Sequence, residues 1–350
     1  MEVNRERLLQ SLQNAIVGSE KGEFLNNAFS FKDGYVHTFK DFVALSIHLG
    51  DEFKFLKGSI RATEFFSLLS KYTMEKVDIN VLDNGLEVCS GRSKALFTFL
   101  EESVLKQVDN MALESLVWYP MPDDFRDALS FCLLGVREYN LEGVRVKGKL
   151  ALSVDSKRVN YFEMKETAGD FLLEEKVVTE LLKFQDFVQL AQSDQRVFVK
   201  LGDGTIVSGR RKMDVDYPLD KITAMIEQIT PTEEDPKGKL PTSFKSMIGR
   251  ASVLSSEMSG LAVIKMVFDK EFIEASSERA TGKYDEKLDW EEIPAGLDQP
   301  ITVFLESSAA LYALEKSRTF AIKSTEGLKR LVFIGDNCKC FLAAYTEGKE

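Results

Sequence analysis

The sequence predicts an α+β protein made of three similar domains in tandem, each with two helices packed on antiparallel sheets. Three observations predict this. A unit of helix, strands with a polar elbow, second helix and closing strands recurs at intervals of roughly 115 residues, and such internal repeats decide the whole fold class. At 350 residues the chain is longer than one hydrophobic core serves. Within each unit the apolar spacing switches between helical and alternating periods. The expected domains are 1–115, 116–229 and 230–350.

In the first unit Leu8, Leu9, Leu12, Ala15 and Ile16 form one helical stripe. Phe29–Phe31 and Tyr35–Phe39 flank Lys32-Asp33-Gly34, a hairpin turn signal, and Lys40-Asp41 makes the elbow before Val43–Ile47. The spacing predicts a second helix over Ile60–Tyr72. Strands follow at Val77–Val81, Leu86–Cys89 and Lys94–Phe99, with Asp83-Asn84-Gly85 turning between the first two.

The second unit repeats this order. Phe125, Leu129 and Leu133 line its first helix, which opens at Pro122. Val144–Val146 turns through Lys147-Gly148-Lys149 into Leu150–Val154, the elbow is Asp155–Arg158, and the second helix is expected over Glu174–Phe184. Val197–Lys200 and Thr205–Ser208 make a hairpin around Gly202-Asp203-Gly204. Thr230–Gly238, with its prolines and charges, reads as a linker. In the third unit Phe244, Met247, Ile248 and Ala251 form the stripe, Ala262–Phe268 and Glu271–Ala275 flank Asp269-Lys270, and Ser308–Lys316 is the second helix.

Composition narrows the function. Hydrophobic residues make up 44% of the chain, which suits a globular protein. No apolar run approaches the roughly 20 residues of a membrane span, and Met1–Arg5 leads into a helix without an apolar signal region, so a cytoplasmic protein is expected. The net charge of −11 argues at first against nucleic acid. Net charge is global, however, and one positive stripe can bind DNA on an acidic protein. Cys338 and Cys340 share one strand face but lack metal-ligand spacing, so strand packing is the expected role of both.

The chemistry of an enzyme is missing. Only two histidines occur, His37 and His48, and no nucleophile signature accompanies them. Gly204–Gly209 lacks the lysine and following helix of a phosphate loop. No catalytic residue, metal ligand or cofactor is expected.

Several segments carry a resemblance to a family. Leu141-Glu142-Gly143-Val144 followed by Ser153-Val154-Asp155-Ser156-Lys157-Arg158-Val159 resembles the second-domain pattern of the bacterial sliding clamp, the beta subunit of DNA polymerase III. Arg250–Ser255 resembles the Arg-Ala-x-x-Leu-Ser helix end of that family, and Phe272–Ser277 with Glu286–Trp290 resembles its strand, acidic loop and Leu-Asp-Val segment. The run from Lys32-Asp33-Gly34 to Phe39-Lys40-Asp41 is similar to divergent clamp-like proteins of phages. Ser156 and Lys157 stand where the family has glycine and histidine, and Tyr345–Glu350 lacks its apolar methionine–proline tail.

The resemblance implies three tandem DNA-clamp domains that form a ring on dimerisation, head to tail, with helices lining the hole and sheets forming the outer wall. It implies a processivity factor that encircles double-stranded DNA without reading its sequence and tethers a DNA polymerase, a clamp loader being a further partner. Setting aside the apolar stripes leaves Arg5, Arg7, Arg61, Lys71, Arg126, Lys176, Lys183, Lys245, Arg250, Lys316 and Arg318 as the candidate DNA-facing cations. Each alone has an ordinary alternative as a solvated helix charge, but every unit contributes at least two. Carried over by position, a partner-peptide pocket would use Leu141, Val154, Lys157, Arg158, Val159, Pro218 and Ile222, against the alternative of domain packing. Edge strands near Lys71–Cys89 and Ala262–Glu274 are expected to join the two chains. The competing class is a non-catalytic adaptor or structural protein that reuses the fold without encircling DNA; an enzyme of unknown type stands behind both.

Overall fold

In the computed structural model, residues 1–16, 27–40, 42–100, 111, 113–133, 143–155, 157–213, 215–258, 261–325 and 327–344 are described. The chain separates into two compact units, Met1–Arg126 with Ala168–Met213, and Asp127–Thr167 with Asp214–Glu350. Four antiparallel sheets and seven α-helices are present among the described residues.

The first unit begins with β1 (Glu2–Asn4) and α1 (Arg5–Ile16), whose Leu8, Leu12 and Ala15 are buried at helical spacing. Its second helix, α2, covers Ala62–Lys71. The start of the expected helix is instead strand β5 (Gly58–Arg61), because Ile60 pairs with Phe29 in the sheet. One sheet runs β1, β6 (Lys76–Leu82), β7 (Gly85–Ser90), β8 (Ser93–Thr98). The larger sheet runs β5, β2 (Ala28–Lys32), β3 (Tyr35–Lys40), β4 (Val43–His48), β16 (Ile206–Arg210), β15 (Arg196–Leu201), β14 (Phe187–Gln192), β9 (Tyr119–Pro120). The Asp33–Gly34 turn between β2 and β3 holds both residues at positive φ, 53° and 81°, which glycine accepts freely and aspartate tolerates. The core joins Leu8, Leu12, Phe65 and Leu69 of the helices to Phe29, Phe31, Val36 and Ile60 of the sheet. Fully burying such side chains stabilises by about 1.5–3 kcal/mol each.

Two further helices belong to the repeat: α3 (Phe125–Cys132) and α4 (Glu175–Leu181). The latter follows β13 (Gly169–Leu173). Val177 of α4 lies where a Cβ on Gly209 of β16 would stand, 2.3 Å from its Cγ1, so the absence of a side chain at Gly209 sets how closely this helix approaches the sheet.

In the second unit the strands run β10 (Val144–Gly148), β11 (Leu150–Val154), β12 (Arg158–Glu163), β25 (Cys338–Ala343), β24 (Leu328–Ile334), β23 (Thr319–Thr325), β17 (Lys237–Lys239). This order matches β2-β3-β4-β16-β15-β14-β9 strand for strand. Part of the expected linker is thus a strand, β17. A further sheet holds β18 (Ser256–Met258), β19 (Leu261–Phe268), β20 (Phe272–Arg279), β21 (Gly282–Asp289) and β22 (Ile301–Glu306). Its helices are α6 (Phe244–Val253) and α7 (Ser307–Lys316). An additional helix, α5 (Leu219–Ile229), falls where the sequence pattern suggests only a connection. Ile222, Ile226 and Ile229, three and four residues apart, are its buried face.

Candidate DNA and partner interfaces

The candidate DNA cations occur on or beside α1 to α4, α6 and α7, and the structure gives most of them partners. Eight have a carboxylate within 4.0 Å: Arg5, Arg7, Lys176, Lys183, Lys245, Arg250, Lys316 and Arg318. Arg7 meets Glu52, and Lys245 meets Glu315 at 3.1 Å. Arg250 donates from Nε and Nη2 to Glu286 at 2.9 and 2.6 Å. These pairs are half-exposed, so each contributes only about 0–1 kcal/mol and leaves its cation able to exchange the carboxylate for a phosphate.

Two of the cations are structural. Arg126 donates to the carbonyls of Phe184 and Leu182 at 3.3 and 3.0 Å, beyond the C-terminus of α4, where a cation also complements the helix dipole. Arg5 is largely covered and donates to the Leu69 carbonyl in the last turn of α2 at 3.3 Å. Lys71 is exposed on α2, and Arg61 lies at the N-terminal boundary of the same helix. Lys176 lies over the Phe42 ring, 3.0 Å from its centroid, besides pairing with Glu174.

The residues carried over for a partner pocket come apart into three groups. Val154, Val159 and Ile222 are buried together with Ile226, Ile229, Val332 and Phe341, so the side of β11 and β12 that carries them is covered by the chain's own helix α5. Pro218 is the N-terminal boundary residue of that helix. Arg158 lies in the elbow, its Nε donating to Asp155 Oδ2 at 2.7 Å and its Nη1 lying 3.9 Å from Glu306, with all three side chains at most 10% exposed. Burial works against its charge, but Asp155 and Glu306 outweigh burial and raise its pKa. Asp155 Oδ1 also accepts the backbone N–H groups of Lys157 and Arg158 at 2.7 and 2.6 Å. Arg158 therefore holds the elbow, and Lys157 is exposed beside it. Leu141 lies outside the described residues.

The expected joining edges need correction. The strands within Lys71–Cys89 and Ala262–Glu274 are interior: β6 lies between β1 and β7, and β19 pairs with both β20 and β22. The first of these sheets ends in β1, of three residues, and β8, of six; the outer strands of the other include β22, of six, and β21, of eight. Strand alternation alone could not tell an inner strand from an outer one, because both faces of an edge strand are patterned like those of its neighbour.

Sequence reasoning also missed Arg196. It is half-buried on β15, donates to Ser208 Oγ at 3.0 Å and reaches the Phe42 carbonyl at 3.3 Å, tying the corner after β3 to β15 and β16. Desolvation first, then Arg210, lowers its pKa to about 10. No periodic signal marks a lone arginine in a strand as an anchor.

Among the described residues no group of three histidine, cysteine or carboxylate side chains is placed to hold a metal ion. No helix among them is long and apolar enough to cross a membrane.

Neither a family model nor any curated protein sequence matches the chain. Solved structures do. The beta subunit of Streptococcus pyogenes DNA polymerase superposes with a TM-score of 0.76 at 14% identity, over 98% of this chain and 99% of that one. The Bacillus subtilis DNA polymerase sliding clamp matches with a TM-score of 0.74 at 17% identity, over 99% and 98%. The sliding clamp of Pseudomonas aeruginosa gives 0.74 at 12%, over 99% of both. The chain therefore has the α+β fold of the bacterial sliding clamps from one end to the other.

Proposed function

We propose that this chain is a DNA sliding clamp, a processivity factor that encircles duplex DNA and tethers a replicative polymerase. The observation that carries the reading is the likeness to sliding-clamp structures over 98–99% of the chain. The domains 1–115, 116–229 and 230–350 then each supply one helix pair: α1 with α2, α3 with α4, α6 with α7. The ring is a head-to-tail homodimer, closed by a heterologous contact between β8 of one chain and β21 of the other. Both are outer strands with main-chain groups to offer, and adding one to the other would extend each sheet by the ladder bonds an edge leaves unmade. The proposed DNA contacts are Arg7, Lys71, Lys176, Lys183, Lys245, Arg250, Lys316 and Arg318, with Arg5, Arg61 and Arg126 helping to hold the helices that carry them. A polymerase and a loader are the expected partners, no catalysis or cofactor is involved, and a clamp works where DNA is copied, in the cytoplasm.

The carboxylate partners of eight of the cations favour a second reading, an adaptor that keeps the fold without DNA. Two measurements separate the readings. Light scattering should give twice the 39.5 kDa chain mass, and the protein should be retained on circular DNA but slide from linear DNA. Changing Arg7, Lys71, Lys176 and Arg250 together to Gln should reduce the log–log salt slope of DNA binding by about one for each phosphate no longer neutralised. A monomer mass at all concentrations, or no retention on circles, would reject the clamp reading in favour of the adaptor.

A further inference from the structure

The larger sheet of the first unit has two faces. Along β3, Val36 and Thr38 point to α1, where Thr38 Oγ1 donates to the Ala15 carbonyl at 3.1 Å. Tyr35, His37 and Phe39 point the opposite way. Cross-strand register sorts that second face into rows. Phe39, Ala44, Ser208, Phe198 and Ala191 make one row. Ser30, His37, Ser46, Ile206 and Lys200 make the next, and Lys32, Tyr35 and His48 a third. Both histidines of the chain are on this face.

The first row is covered by Met111, Leu113, Leu116 and Trp118 of the connecting segment. His37, Ile206 and Lys200 of the second row and Lys32 and Tyr35 of the third line a cavity of about 590 Å³ together with Leu113 and Trp118, while Ser30 and Ser46 of the second row are buried. In the second unit the matching rows are Val154, Val159, Phe341, Val332, Ala321 and Leu152, Tyr161, Lys339, Ile334. There α5 packs over both rows. The same sheet thus carries a built-in cover in one unit and a cavity in the other.

We propose that the first unit's cavity is a docking site for a short peptide of a partner protein. An apolar side chain enters between Leu113, Trp118 and Ile206, and a carboxylate pairs with Lys200. The volume lies within the roughly 300–1,000 Å³ of ligand sites and holds two or three side chains. Lys200 is half-buried and has no carboxylate partner among the described residues, on a chain of net charge −11. Its Nζ stands 5.8 Å from the Trp118 ring centroid. A cation partly removed from water beside apolar walls favours an anion brought in by an apolar ligand. Asp33 and Glu114 balance Lys32 and Lys200 at the same cavity, which disfavours a polyanion such as nucleic acid but leaves room for a single carboxylate at Lys200. In the second unit, the apolar helix face formed by Ile222, Ile226 and Ile229 shows what kind of surface this sheet accepts. The proposal deepens the tethering role of the clamp reading but stands on the cavity and Lys200, so it is tested apart from DNA.

A phage-displayed random dodecapeptide library, panned on the full-length chain, supplies the probes; enriched sequences are made with a fluorescein label and titrated by anisotropy. The expected peptides carry an aromatic or aliphatic residue within three positions of Asp or Glu. Lys200→Glu should weaken their binding at least tenfold, as should Trp118→Ala, while Lys200→Gln should weaken it less. Lys200→Glu should keep the wild-type melting profile and its retention on circular DNA, so a failure of the clamp reading would appear in DNA retention and a failure of this one only in peptide binding. No enrichment, enrichment of peptides without acidic residues, or undiminished binding to Lys200→Glu would overturn the proposal. A lower particle mass for Lys200→Glu would also overturn it, by making a second copy of the chain the occupant.

Discussion

The two large sheets of this protein share their strand order and differ in what lies on them. In the second unit the face formed by Leu150, Leu152, Val154 and Tyr161 is apolar and is sealed by α5. In the first, the corresponding places on β3 and β4 hold Tyr35, His37, Phe39 and Ser46, and the connecting segment covers the first row and Ile206 of the second but leaves a cavity beside Tyr35, His37 and Lys200. A strand order therefore does not settle whether a face becomes core or binding surface. The side chains on that face and the segment laid across it settle it, because burial is favourable only where both sides are apolar.

The corners between the paired strands differ in the same way. The second unit's elbow is held by its own Arg158, buried between Asp155 and Glu306, whereas the first unit's is held from a distance by Arg196. Breaking the comparison here should have the largest effect. Arg158→Met leaves two covered carboxylates without their cation and should destabilise by about 4 kcal/mol in urea unfolding. Arg158→Lys should recover only part of this, since an ammonium cannot reproduce the Nε bond to Asp155 and the reach to Glu306 together.

The covers come next. Ile226→Ala removes a buried side chain from the middle of α5 and should cost about 3 kcal/mol, with faster hydrogen exchange in β24 and β25. Leu116→Ala, at the half-buried cover of the first unit, should cost about 1 kcal/mol, because part of its surface already meets water. Equal costs would mean that the two covers are energetically alike and would remove the distinction between a sealed and an open face.

The smallest effect concerns β21, one of the outer strands of the second unit. Arg250 holds the Glu286 carboxyl below its ordinary 4.5 by hydrogen bonding. A carboxyl with a lowered folded pKa contributes stability that is fully present above its unfolded value and is lost as pH falls through the folded one. Glu286→Gln should therefore flatten the stability profile below about pH 4.5 and leave the neutral range nearly unchanged. The check is urea unfolding at several pH values, and an unchanged acid limb would show that the pair is not formed in solution.

Much of the fold was legible because it is local. The stripes at Leu8, Leu12 and Ala15 and at Phe244, Met247 and Ile248 are buried faces of helices. The turns at Asp33-Gly34 and Gly148 lie between paired strands. The helix α5 was legible in principle, since Ile222, Ile226 and Ile229 keep helical spacing, but Pro218 and the charges around it give the segment the local pattern of a connection. Most of the candidate cations were legible as charges on or beside helices, but the covering of Arg5 and the carbonyl partners of Arg126 were not, nor were the carboxylate partners: Lys245 and Glu315, or Arg250 and Glu286, are brought together only by packing of distant segments.

By itself the sequence determined the alternation of helices and strands, the recurrence of the unit and hence the α+β class, because periodicity and turn chemistry act over a few residues. Only the tertiary structure decided which strands pair across the units of the repeat, such as β4 with β16 and β12 with β25, and thereby which faces are sealed. The physical reason is that an apolar alternating strand is satisfied by many neighbours. The choice among them, and with it the position of Lys200 above an open cavity or of Val159 beneath a helix, depends on the whole chain folding at once.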